Sequence, residues 1–319
     1  MSRYGITVPY DRTPLAEQRE LFAEIAALGY TDVWSAEASA TDGFVPLAMA
    51  AAWEPELRLG TAIVPSFTRG PATLAMCVAT MAEAAPGRFQ FGLGTSSDVI
   101  VERWNGIPFK EPYKRNRDMV RFLKLALSGE KVTEEYDTFS VKGFRLERPP
   151  AVVPPILVAA LRPGMLRLAG RLGDGAIINW LSAEDVKQIV PEVGPGKEVV
   201  CRIYVCPTED AATVRSTAKM LIAAYLNVDV YALFQEWLGR GSKLQPMWDA
   251  WRAGDRKAAV EAIPDEVVDE LVVHGTPEQC QAHVDRYVAN GVTVPVLMPL
   301  PFGVSAREAV RLMAPGPRL

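Results

Sequence analysis

The chain has 319 residues, 49% of them hydrophobic, with 34 Lys and Arg against 38 Asp and Glu and a formal net charge of −4. That is enough apolar material for one sizeable core, so residues 1–319 are expected to form a single α/β domain. The slight negative charge and the lack of a basic stripe argue against nucleic-acid binding. The chain also shows no membrane-length apolar run and no signal-peptide core, so the expectation is a cytoplasmic protein acting on a small molecule.

The pattern alternates strand and helix from the start. Gly5–Val8 reads as a strand, and Thr13–Leu28 as an amphipathic helix with Thr13 as its cap, Pro14 at its first position and Gly29 at its end. Thr31–Ala36 is the second strand, followed by a helix over 44–53, and Leu57–Val64 is the third. Pro71 opens a long helix, and Phe89–Leu93 is the fourth strand. After an irregular stretch, Arg115–Leu127 is helical, and residues 131–146 alternate like a β-hairpin decorating the outside. Ile156–Ala159, Asp174–Ile178 and Glu198–Val205 are strands five to seven, with helices over 164–172 and 183–190 between them. Helical pattern then runs from Ala211 to about Val273, longer than one crossover needs, so residues 229–264 are taken as a helical insertion. Pro277–Ala289 is helical, Val292–Met298 is the eighth strand and Ser305–Met313 the last helix.

Eight strands alternating with helices predict parallel pairing and right-handed crossovers, best met by a (β/α)8 TIM barrel with insertions. A doubly wound open sheet is the rival. Its dinucleotide-binding form is weakened because no G-x-G-x-x-G follows the first strand.

Barrel chemistry sits at the C-terminal ends of strands, and four segments there carry candidate residues. Thr61-Ala62-Ile63-Val64 ends the third strand, where a plain buried strand closed by proline is the competing reading. Gly94-Thr95-Ser96-Ser97 follows the fourth; glycine permits close approach, and the hydroxyls can hold a polar ligand. Ala159-Ala160-Leu161-Arg162 precedes a helix whose N-terminus suits a phosphate, although Arg162 also reads as an ordinary surface residue. Glu37, just past the second strand, is either a general acid or base or half of an ion pair with a nearby arginine.

Cys77, Cys201, Cys206 and Cys280 lack metal-ligand spacing and read as free thiols, so no metal is expected. His274 and His283 read as structural, and no G-x-S-x-G elbow exists. With so few catalytic side chains, a cofactor is expected to carry the chemistry.

The motifs L-G-T-A-I-V-P, T-R-G-P, A-P-G-R-F-Q-F-G-L-G, A-A-L-R-P and A-G-R-L-G-D-G-A-I-I-N-W together resemble the bacterial luciferase-like superfamily, over Met1 to about Leu300. W-S-A-E-A-S and R-W-N-G-I-P-F look more like its branch that uses the deazaflavin coenzyme F420. The resemblance implies a barrel with an insertion and a cis peptide at Ala62-Ile63 backing the cofactor ring. It further implies that Gly94–Ser97 lines the cofactor and that the amides of Ala160, Leu161 and Arg162 hold its phosphate. The implied activity is hydride transfer between F420 and an organic substrate. An FMN-dependent monooxygenase is the first alternative and a non-catalytic cofactor-binding barrel the second. Such proteins commonly form dimers, so a homo-oligomer is expected. The chain departs from the family after the second strand: Glu37-Ala38-Ser39 stands where a histidine is usual. The basic run Lys110, Lys114, Arg115 and Arg117 is either a solvated helix face or a contact for the coenzyme's anionic tail.

Overall fold

The computed structural model describes residues 3–316. The strands in chain order are β1 (Gly5–Thr7), β2 (Asp32–Ser35), β3 (Arg58–Thr61), β4 (Val64–Pro65), β5 (Phe89–Gly94), β6 (Val132–Glu135), β7 (Ser140–Phe144), β8 (Ile156–Ala159), β9 (Gly175–Asn179), β10 (Glu198–Cys206), β11 (Val272–His274) and β12 (Val294–Pro299). All pair in parallel except β6 and β7, which form the expected external hairpin. The ring runs β1-β2-β3-β5-β8-β9-β10-β12 and closes because β1 pairs with both β2 and β12. This is a closed eight-stranded TIM barrel, and the open-sheet alternative falls.

The helices are α1 (Arg19–Ala27), α2 (Val45–Trp53), α3 (Pro71–Ala84), α4 (Pro112–Leu127), α5 (Pro163–Leu172), α6 (Val186–Val193), α7 (Ala211–Leu226), α8 (Asp229–Trp237), α9 (Gly241–Arg252), α10 (Arg256–Glu261), α11 (Asp265–Leu271), α12 (Pro277–Ala289) and α13 (Ala306–Leu312). No single helix among the described residues is long and apolar enough to cross a membrane. Helices α8 to α10 occupy the expected insertion, and with α7 and α11 they pack around a second core that includes Ile222, Leu244, Trp248 and Val268.

Three expectations need correction. The first helix does not begin at Pro14: that residue is extended (φ −52°, ψ 136°), a 3-10 turn spans Leu15–Glu17, and α1 starts at Arg19. Thr13 is not a cap; its N–H donates to Asp11 and its carbonyl accepts from the Gln18 amide. The third strand is not continuous over 57–64 but broken into β3 and β4, at the cis peptide between Ala62 and Ile63 that the resemblance implied. Residues 272–274, read as the tail of a helix, form β11, which takes over from β9 along the upper part of β10 (Tyr204 opposite Val272). That pairing is tertiary, and it overrides a helical prior that two valines hold only weakly.

The barrel lumen is filled in layers, as parallel barrels require. At the N-terminal end Arg3 bonds Asp32, Glu198 and Gln90, and Gln90 also donates to Glu198. Above this ionic plug lies Trp34, fully buried among Leu157, Ile177, Val200, Val294 and Val296. An indole fits there because the two strands flanking β2 carry glycine: a Cβ on Gly60 would lie 2.3 Å from the Trp34 ring, and one on Gly5 would lie 3.0 Å from it. Everything beyond Trp34 is the mouth.

Candidate active site at the barrel mouth

At the mouth, the strand ends keep partial exposure. Ala36, Ala62, Ile63, Thr95, Ala159 and Asn179 are all incompletely buried, in contrast to the strand interiors below them. A partly exposed rim at the C-terminal strand ends, over a packed lumen, is where a ligand enters a barrel.

The Ala62-Ile63 break forms one wall. Ala62 donates to the Ser35 carbonyl (2.6 Å), and the Ile63 carbonyl accepts from the Glu37 N–H (3.1 Å), so both sides of the break are tied to the end of β2. On the other flank the ladder to β5 is interrupted, and a side chain repairs it. Thr61 Oγ1 accepts from Gly92 N–H (2.8 Å) and donates to the Gly92 carbonyl (2.9 Å), all buried. A hydroxyl can do both at once. Just above, a Cβ on Gly94 would lie 2.8 Å from Ile63 and 3.0 Å from Ala159. Three of the segments singled out from sequence therefore meet at one point.

The loop past Gly94 holds Ser96 at φ 61°, and Trp180, directly after β9, at φ 56°. For a bulky residue that backbone is a genuine outlier, and such outliers cluster at functional sites. It turns the Trp180 indole onto Tyr204, ring centroids 4.2 Å apart. Ser97 stands just before the π-helical turn Val99–Trp104, its carbonyl accepting from the Val101 N–H. Trp104 itself is exposed on that turn.

At the start of α5, the Ala160 N–H is already spent on the Ile177 carbonyl (3.0 Å). Leu161, Arg162 and Gly164 carry the amides that remain for an anion, and the Arg162 side chain is exposed. Glu37 lies in a bidentate pair with Arg69, both N···O distances 2.6 Å, and Oε1 also accepts from Gly43 N–H. Arg69 in turn lies over the Phe44 ring. Both readings of Glu37 thus meet in one place: it is an ion-pair partner, and it stands at the mouth. Of the basic run, Lys114 pairs with Glu111 and Arg117 with Asp118 and Asp137. Arg115 turns inward over Phe67 and Phe139.

The sequence profile described as luciferase-like monooxygenase matches residues 2–294. The chain belongs to that family. A 5,10-methylenetetrahydromethanopterin reductase of Methanolobus tindarius is 26% identical over 297 residues, covering 89% of this chain and 90% of the relative. A putative coenzyme F420-dependent oxidoreductase of Mycobacterium tuberculosis is 25% identical over 319 residues, covering 89% and 91%. The structure of a coenzyme F420-dependent tetrahydromethanopterin reductase from Methanopyrus kandleri matches with a TM-score of 0.80 at 19% identity, over 99% of this chain and 98% of that one, a likeness of fold. The same luciferase-like fold also occurs in solved monooxygenases, one of them with FMN bound.

Within this luciferase-like barrel, the residues that sequence reasoning missed come from β9, β10 and the insertion. Arg202 Nη2 donates to the Ala62 carbonyl (2.7 Å), and its Nε is buried with no partner. Asn179, Tyr204 and Tyr231 lie beside it. Burial pushes both phenol hydroxyls up, opposed in part by the Arg202 charge and the Asn179 amide, so both stay protonated at neutral pH. One signal was available: Arg202 is a lone charge near the middle of the otherwise apolar stretch V-V-C-R-I-Y-V-C.

Proposed function

We propose that this protein is an oxidoreductase that uses coenzyme F420 to exchange a hydride with a small organic substrate. The observation that carries this reading is the convergence of Ile63, Gly94 and Ala159 at the mouth, in a chain whose relatives over nine-tenths of its length include an F420-dependent oxidoreductase and a methylenetetrahydromethanopterin reductase. Those residues fit a flat, apolar ring: the wall has no side chain at Gly94 and only methyl or sec-butyl groups beside it. The amides of Leu161, Arg162 and Gly164, at a helix N-terminus, suit the phosphate.

A deazaflavin carries carbon where a flavin has N5, so it favours two-electron hydride steps. The chain's own residues do the rest. Thr61, Thr95, Ser96 and Ser97 shape the wall, with Val64 buried behind the break. Glu37 handles a proton. Oε1 is saturated by Arg69 and Gly43, whereas Oε2 accepts from Arg69 alone and keeps a lone pair for the substrate.

Titrating the purified apoprotein with F420 and with FMN tests the reading. F420 binding at micromolar or tighter concentration is expected. FMN binding without F420 binding would turn the assignment into a flavin monooxygenase, and binding of neither would favour a non-catalytic barrel.

A further inference from the structure

Arg202 makes little use of its guanidinium within the protein. Among the described residues one of its five N–H groups has a protein acceptor, the Ala62 carbonyl, and no carboxylate pairs with it. The arginine below it in the lumen, by contrast, is neutralised: Arg3 by Asp32 and Glu198. A mostly buried cation without a counter-charge is costly unless something supplies the missing anion.

Its surroundings define what that anion must look like. Alternation along β10 puts Glu198, Val200, Arg202 and Tyr204 on the lumen face, and Arg202 is level with Asn179 on the neighbouring β9. The groups around its free edge are an amide and two protonated phenols, which donate to an oxygen. Thr7, on β1 beyond β12, adds a buried hydroxyl with no partner. The walls are aromatic: Trp180 lies on Tyr204, and Tyr231 descends from the insertion helix α8. Planar guanidinium plus several neutral donors matches a carboxylate, and the rings match an apolar body attached to it.

We propose that Arg202, with Asn179, Tyr204 and Tyr231, is the receptor for the carboxylate of the substrate, which is therefore an organic acid with an apolar or aromatic body. This rests on the reading of the mouth as the site of an F420-dependent reaction, and it names the class of molecule that site takes.

Benzoate and benzamide, equal in shape and different in charge, are the probes. Calorimetry on the full-length protein is expected to show benzoate binding at least tenfold tighter than benzamide. In Arg202→Met that preference should fall to about one, and in Arg202→Lys it should be reduced. Saturation with F420 should leave benzoate affinity within threefold. Equal binding of the two probes by the unmodified protein, or an undiminished preference in Arg202→Met, would overturn the receptor. So would displacement of benzoate by F420, because the guanidinium would then serve the coenzyme. If Arg202→Met does not fold, Asn179→Leu and Tyr231→Phe replace it; each should weaken benzoate at least threefold, and unchanged binding in both would overturn the proposal. A protein that selects benzoate through Arg202 yet takes up no F420 would sink the cofactor reading and leave the receptor standing.

Discussion

Arg202 Nη2 donates a 2.7 Å hydrogen bond to the carbonyl oxygen of Ala62, a residue 140 positions earlier in the chain. The two stand on β10 and on the end of β3, four places apart in a ring of eight strands, so the side chain crosses the barrel. It meets the carbonyl of Ala62, directly at the cis break of the third strand. The bond therefore couples the wall of the mouth that was legible in the sequence to the one that was not.

Thr61 replaces a piece of sheet. Thr61→Val keeps the shape but leaves the buried Gly92 N–H and C=O without the hydroxyl that bonds both. The expected loss of stability in chemical denaturation is about 3 kcal/mol, whereas Thr61→Ser should recover most of it. Gly92→Ala should be worse, because its Cβ would lie 1.8 Å from the Thr61 carbonyl oxygen, which is backbone and cannot swing away.

Glu37→Gln retains the size of the side chain and removes its charge. Under the proposed function, turnover should fall at least tenfold while the affinity for F420, read by titration, changes less than threefold. Unchanged turnover would take Glu37 out of the mechanism and leave it as the partner of Arg69.

Arg240 ties the insertion to the barrel. It is 5% exposed and bonds Asp185 and Glu270 at 2.7 and 2.6 Å, while Asp185 also holds the N–H and hydroxyl of Ser182. Arg240→Met would leave Asp185 nearly buried and without its cation. The expected cost is roughly 3–5 kcal/mol, with earlier proteolytic cleavage between α8 and α9 as the local readout.

His283 predicts an acid limb in stability. Burial, helped by Arg286, depresses its pKa from 6.5 to about 4. The folded protein holds this imidazole neutral, whereas the unfolded chain protonates it near pH 6.5. Between those values the unfolded state binds more protons, so stability falls as pH drops from about 6.5 to about 4. The contribution is on the order of 2–3 kcal/mol, and His283→Gln should flatten that limb in melting experiments across the window.

Much of the architecture was present in local pattern. Ile156–Ala159 and Pro277–Ala289 appear with the boundaries read from the sequence, because a short β-branched run between turn residues and a Thr-Pro helix start are local signals. Gly94 marked close approach, and its neighbours were then found in space: Ile63 and Ala159. The start of α1 and the strand β11 were misread because an extended Pro14 and a pairing with β10 respectively outweigh local propensity.

By itself, then, the sequence determined the alternation of strands and helices, the family, and the strand ends where the motifs cluster, whereas closure of the sheet was decided by the pairings of β1 with β12 and of β9 with β10. Only the tertiary structure decided which side chains face each other across the mouth. It joined Glu37 to Arg69, brought Tyr231 down from the insertion, and set Arg202 against Ala62 with most of its donors free. The division has a physical cause. Periodicity and turn chemistry act between near neighbours in the chain, whereas the charge balance of a barrel mouth is a sum over strands more than a hundred residues apart.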